Sequence, residues 1–178
     1  MNNTLSPAVS FIARSGTGKT TLVTKLISEL KSRGYKVGAI KHDAHKFEID
    51  HPGKDSYRFT ESGADSMLIS SSRKLALVKQ YEKPPQIEEM IRDYFADVDI
   101  VLIEGFKQIG LPKIEVHRQE HGATLLCRGE KYDSSLLAVA SDSELDLDVP
   151  LLDLNRPDQV VDFLVSSFAL QPSTKQTA

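Results

Sequence analysis

Residues 15–20, Ser15-Gly16-Thr17-Gly18-Lys19-Thr20, place in six consecutive positions the groups needed to grip a polyphosphate. Glycines let the backbone curl until successive N–H groups converge on one point, and a helix starting there presents its positive dipole end to the same point. The ammonium of Lys19 would reach the β- and γ-phosphates, and the hydroxyl of Thr20 would ligate a Mg²⁺ bridging them. Ser15 opens the stretch and Thr21 extends it. The full pattern G-x-x-x-x-G-K-[ST] asks for glycine where this chain has Ala13, and a positive φ there would be costly. The competing description is a glycine-rich turn with Thr17 as helix cap and Lys19 as a solvated side chain.

A Mg-nucleotide site also needs an acidic group on a neighbouring strand. Glu104 directly follows the apolar run VDIVLI, at the carboxyl end of a strand, where open α/β folds bind ligands, and Gly105 lets the chain turn close to a phosphate. The same rule marks His42 and Asp43 at the end of AIKHD: Asp43 for the outer Mg²⁺ shell or an attacking water, His42 for a γ-phosphate oxygen. The histidines and aspartates of residues 42–51 also allow a transition-metal reading, without enforced geometry. In PGKDSYRF, Lys54 adds positive charge over a phosphate tail or simply precedes a helix capped by Asp55 or Ser56. Arg14 either contributes charge at its own site or across a dimer interface, or is solvated.

Base recognition has two candidates. Asn155 and Asp158 stand at the separation of a guanine-reading loop, with the aspartate accepting from guanine N1 and N2. Asn155 is equally suited to cap a helix with Pro157 in its first turn. Residues 139–142, VASD, form a second strand-end loop able to meet a base.

These groups require a framework of strands. Apolar runs at 8–13, 36–41, 98–103, 113–117, 136–140 and 150–154 read as strands, and helical spacing follows the glycine turn through Leu22, Leu26, Ile27 and Leu30. The first two strands with the intervening helix make a βαβ unit, expected to place them as parallel neighbours. The most apolar run, 98–103, reads as the sheet centre. SMLISSSRKLALVKQ reads as a hairpin, a helix follows Pro84-Pro85, and residues 156–168 form the last helix. One domain over residues 1–170, with a frayed polar tail at 171–178, is expected.

With 22 Lys and Arg against 25 Asp and Glu, the net charge of −3 gives no general attraction for nucleic acid or anionic lipid, so any anion is bound locally. No apolar stretch is long enough to cross a bilayer and no export segment is evident, which predicts a cytoplasmic protein. The single Cys127 leaves neither a disulfide nor a cysteine zinc site.

SGTGKTTL, IKHDAHKFEID, PGKDSYRF, GADSMLIS, VDIVLIEGFK, PKIEV and AVASD, in this order and followed by LLDLN, resemble the molybdopterin-guanine dinucleotide biosynthesis protein B (MobB) family. The resemblance implies an α/β, three-layer P-loop NTPase fold with a mostly parallel central sheet and a small antiparallel hairpin excursion. It also implies a homodimer that binds GTP with Mg²⁺, hydrolyses it slowly at most and assists a molybdopterin guanylyltransferase. Phosphate binding then falls on Gly16, Thr17, Gly18, Lys19, Thr20 and Thr21, the acidic position on Glu104, and the strand-end position on His42 and Asp43. Slow turnover also fits the residues, since no water-positioning glutamine adjoins Glu104; Gln108 is four positions on. A small-molecule kinase and a pure interaction module holding structural phosphate are the alternatives. A kinase lid rich in arginine is hard to find, because residues 52–72 offer only Arg58.

Overall fold

The computed structural model describes residues 5–42, 49–107, 110–122, 124–129 and 132–172. Its main element is a six-stranded, wholly parallel sheet in the order β2-β5-β1-β6-β7-β8, built from β1 (Ala8–Ile12), β2 (Val37–Lys41), β5 (Ile100–Glu104), β6 (Lys113–His117), β7 (Leu136–Ser141) and β8 (Leu151–Asp153). A separate antiparallel hairpin joins β3 (Ser66–Ser70) to β4 (Leu75–Lys79). The helices are α1 (Lys19–Ser32), α2 (Asp55–Glu61), α3 (Ile87–Tyr94) and α4 (Pro157–Ser167).

Two sequence expectations change. β1 and β2 are not neighbours, because β5 lies between them, and the middle of the sheet is the β1–β6 pair. Both follow from hydrophobicity: β5 is buried from Ile100 to Ile103 and needs a strand on each edge, and so do β1 and β6, buried throughout.

Strand alternation sorts the side chains onto two faces. Val9 and Phe11 of β1, Ile100 and Leu102 of β5, Ile114 and Val116 of β6, and Ala138 and Ala140 of β7 share one core. α1 covers it with Leu22, Val23, Leu26 and Leu30, and α4 with Val160, Val161 and Leu164. At about 1.5–3 kcal/mol for each large buried apolar side chain, this face carries most of the sheet's hydrophobic stabilisation. On the opposite face, Ile12, Leu125, Cys127, Leu136 and Val139 form a smaller cluster.

β6 also buries three polar side chains on alternate positions, Lys113, Glu115 and His117. At its amino end the Lys113 ammonium lies 2.9 Å from Asp133 and donates to the Ser135 hydroxyl at 2.6 Å. Glu115 accepts the backbone N–H groups of Leu126 and Cys127 at 2.6 and 2.9 Å. Burial of the Asp133 carboxyl alone would raise its pKa, but bonds from Ser135 and Lys113 bring it down to about 2. Burial, reinforced by the Glu115 and Asp133 charges, pushes the Cys127 thiol up to about 12.

Close contacts divide the chain into two compact units, residues 1–42 with 91–178, and residues 43–90. The second unit holds α2 and the hairpin. Lys54, rather than Asp55 or Ser56, is the N-cap residue of α2 and makes no side-chain capping bond. Asp55 instead lies in the first turn, where its charge complements the helix dipole. No helix among the described residues is long and apolar enough to cross a membrane.

Candidate functional site

β1 and α1 are joined by residues 13–18, and the left-handed positions of this turn fall on Gly16 (φ 83°) and Gly18 (φ 84°). Ala13 is buried and is not among the positive-φ residues, so the missing glycine costs no backbone strain. Thr17 is not the helix cap. Its buried hydroxyl donates to the Arg14 carbonyl at 2.9 Å, bracing the loop from within. Gly18 is the N-cap residue, no side chain caps α1, and its first turn contains no acidic residue. The first-turn N–H groups therefore keep their hydrogen-bonding capacity and the positive end of the dipole is unneutralised. Ser15, Gly16, Thr20 and Thr21 are exposed and Lys19 is half-buried. This is an anion-binding arrangement.

Glu104 ends β5 opposite Phe11 of β1 and Lys41 of β2. The Thr20 hydroxyl meets both of its carboxylate oxygens, at 3.0 and 2.9 Å. Adjacent oxygens on an octahedral Mg²⁺ with bonds of about 2.0–2.1 Å lie about 2.9 Å apart, so this pair has the chemistry and spacing of two neighbouring ligands. Among the described residues no group of three His, Cys, Asp or Glu could hold a metal, so an ion here would complete its shell with water and phosphate oxygens. His42 is brought to the same strand end. Its amide donates to the Glu104 carbonyl at 2.9 Å and its ring stacks on Phe106 with centroids 4.0 Å apart. Gly105 (φ 107°) does permit a close approach, but to the His42 backbone: an added Cβ would lie 3.1 Å from that carbonyl oxygen. Asp43 and Gln108 lie outside the described residues, as does much of the histidine-containing stretch 42–51.

The structure adds residues that the motif search passed over. Arg118, immediately after β6, donates Nε–H to the Thr17 carbonyl at 3.0 Å and Nη1–H to Asp142 at 3.2 Å. The other Asp142 oxygen accepts the Gln119 amide at 3.0 Å. That amide, with the Arg118 charge, holds the Asp142 carboxyl below its ordinary pKa. His121 borders the loop as well, since a Cβ on Gly16 would lie 3.5 Å from its ring. The signal was available: RQEH, residues 118–121, directly follows the strand 113–117, at the same carboxyl edge that singled out Glu104. Arg14 reaches away from its loop to the Thr124 carbonyl at 3.2 Å.

Asn155 and Asp158 are placed elsewhere. Arg156, not Asn155, is the N-cap residue of α4, with Pro157 next as expected. Asn155 instead donates its amide to Asp153 at 2.8 Å. Both Asp158 carboxylate oxygens are taken by Arg156, at 3.0 and 2.7 Å, and its carbonyl accepts from Arg33, just past the far end of α1. Asp158 also lines an open cleft with Thr24, Lys25, Ser28 and Glu29. The turn proposed to read guanine therefore lies beside the middle and end of α1. Lys54 belongs to the second unit.

Against known proteins, residues 8–142 match the family model described as molybdopterin guanine dinucleotide synthesis protein B. The chain is 39% identical over 165 residues to a molybdopterin-guanine dinucleotide biosynthesis adapter protein of Haemophilus influenzae, covering 92% of this chain and 90% of that protein. It is 40% identical over 170 residues to the protein of the same name from Escherichia coli, covering 91% and 93%. Among solved structures, a molybdopterin-guanine biosynthesis protein B superposes with a TM-score of 0.70 at 26% identity, over 90% of this chain and 99% of that one. Bacillus subtilis MobB gives 0.71 at 24%, over 94% and 99%, which speaks to the fold. The chain belongs to the molybdopterin guanine dinucleotide synthesis protein B family.

Proposed function

We propose that this protein is a GTP-binding accessory protein of molybdenum cofactor biosynthesis, assisting a guanylyltransferase that attaches GMP to molybdopterin. The names of its relatives support the pathway. The observation that carries nucleotide binding is the uncapped amino end of α1, with Gly16 and Gly18 in left-handed conformations before Lys19 and with the Thr20 hydroxyl 2.9 Å from Glu104. In this reading residues 15–21 hold the triphosphate, Lys19 offsets charge on the β- and γ-phosphates, and Thr20 and Glu104 hold Mg²⁺, the ion that neutralises charge between the phosphates. Lys19, Asp43 and Glu104 are the residues for any hydrolysis, His42 hydrogen-bonds the phosphate end and Lys54 adds charge. No glutamine adjoins Glu104 in the sequence to orient water, so in this reading turnover is slow. The base lies toward the loop after β7, because Arg118 links Asp142 to the phosphate loop, whereas Asp158 sits beside the middle and end of α1.

The protein acts as a cytoplasmic homodimer in this reading. The hairpin unit supports association, since it exposes Leu68, Ile69, Leu75 and Leu77, apolar groups costly to leave in water. Light scattering on wild type and on Leu75→Glu with Leu77→Glu tests it: a dimer that becomes monomeric agrees, and a monomeric wild type disagrees.

A P-loop kinase shares the core chemistry but needs cationic side chains over an acceptor, and the only arginine of 52–72, Arg58, is exposed beside Asp55 at 3.8 Å. Calorimetry with Mg-GTP, Mg-ATP and Mg-GDP on wild type and Lys19→Ala tests the main proposal. GTP binding weakened in the variant is expected; no nucleotide binding by wild type would leave an interaction module, and phosphate transfer to an acceptor would favour the kinase.

A further inference from the structure

Arg118 holds the phosphate loop by a backbone carbonyl, that of Thr17. The peptide between Thr17 and Gly18 is planar and trans, so its carbonyl and its N–H point in opposite directions. Arg118 Nε holds that carbonyl at 3.0 Å. Holding the carbonyl on one side of the peptide fixes the Gly18 N–H on the other, and a charged donor on the oxygen polarises the same amide into a stronger donor. The left-handed φ of Gly18 sets the same peptide from its other side.

The arginine is itself held. Asp142 takes its Nη1–H at 3.2 Å and the Gln119 amide at 3.0 Å. His117, buried beneath, bonds the Ser141 hydroxyl through Nδ1 at 3.0 Å and the Gly122 carbonyl through Nε2 at 2.9 Å. Since a carbonyl only accepts, Nε2–H is the donor to Gly122. Residues 118–122 are thereby anchored at both ends to the carboxyl edges of β6 and β7.

We propose that Arg118 is a positioning residue for nucleotide binding, aiming the Gly18 amide at the phosphate tail by gripping the Thr17 carbonyl, with Asp142 fixing the guanidinium. The proposal rests on the nucleotide-binding reading above. It makes a distinctive demand: the contribution of Arg118 is independent of the base, since it acts through the loop.

Binding of Mg-GTP, Mg-ATP and inorganic tripolyphosphate to wild type, Arg118→Ala, Arg118→Lys, Asp142→Asn and Arg118→Ala/Asp142→Asn tests it, together with the ¹⁵N–¹H resonance of Gly18 in the free proteins. Arg118→Ala is expected to weaken all three ligands by a common factor of about ten, the scale of one charged hydrogen bond. It also shifts the Gly18 resonance. Arg118→Lys loses part of this, because a single ammonium cannot form the fork that spans Thr17 and Asp142. Asp142→Asn weakens binding in the wild-type background and adds nothing to Arg118→Ala. Loss confined to GTP, full rescue by lysine, additive losses, or an unmoved Gly18 resonance would each overturn the proposal. If Arg118→Ala fails to fold, Arg118→Lys and Asp142→Asn decide by the same criteria. A wild type that binds none of the ligands overturns the underlying reading as well, whereas a wild type that binds and an Arg118→Ala that matches it overturn this proposal alone.

Discussion

The two ends of β6 carry similar residues and do opposite things. At the amino end, Lys113 and Glu115 are closed onto Asp133, Ser135 and the amides of Leu126 and Cys127. At the carboxyl end, His117 and Arg118 lead to the loop where α1 begins without a cap. A shifted pKa does not tell the ends apart, since the larger shifts, those of Asp133 and Cys127, lie at the closed end. What distinguishes them is residual capacity. At one end the polar side chains bond to neighbouring residues of the fold, while the other holds helix amides that no side chain caps.

That contrast breaks most visibly at Lys113. Lys113→Ala removes the buried cation that bonds the half-exposed Asp133 carboxylate and the Ser135 hydroxyl, and is expected to cost about 1.5–3 kcal/mol in urea unfolding, without changing the nucleotide affinity of the folded fraction. Lys19→Ala should do the reverse, losing about 1.5–3 kcal/mol of Mg-GTP binding by calorimetry while stability moves by about 0.5 kcal/mol or less. Acid sharpens the closed end. Asp133 titrates at about 2 in the fold against an ordinary value of 3.8, so its contribution is full above the ordinary value and is lost as pH falls through the folded one. Unfolding followed between about pH 5 and pH 2 should show a loss on the order of 1–2 kcal/mol from this group, absent in Asp133→Asn. The smallest effect belongs to the turn before α4. Asn155→Ala with Asp158→Ala should leave the preference for GTP over ATP within about twofold and cost about 0–1 kcal/mol of stability, the scale of an exposed ion pair. A collapse of that preference would move base recognition to this turn.

Much of this was readable from residue order. The glycine turn, Lys19, Thr20 and the strand-end Glu104 are local in sequence or sit at a predictable edge, and the structure brings Thr20 and Glu104 into hydrogen-bond contact. Strand order was less accessible: β5 enters between β1 and β2 because its apolar sides need covering, a demand that only the whole sheet can state. The Asn155 spacing fitted both a cap and a base contact, and the structure gives the cap position to Arg156 because Asn155 is drawn into a turn by Asp153. For Arg118 the strand-end rule marks only the segment, and its partners, Thr17 and Asp142, lie 101 and 24 residues away along the chain, out of reach of any motif spacing.

The central claim is that the amides at the start of α1 hold a triphosphate. Mg-GTP titrated into ¹⁵N-labelled protein examines those amides directly. The account predicts saturable shifts at residues 15–21, with residues 113–115 and 133–135 unmoved. Shifts absent from 15–21, or concentrated at the closed end of β6, would contradict it.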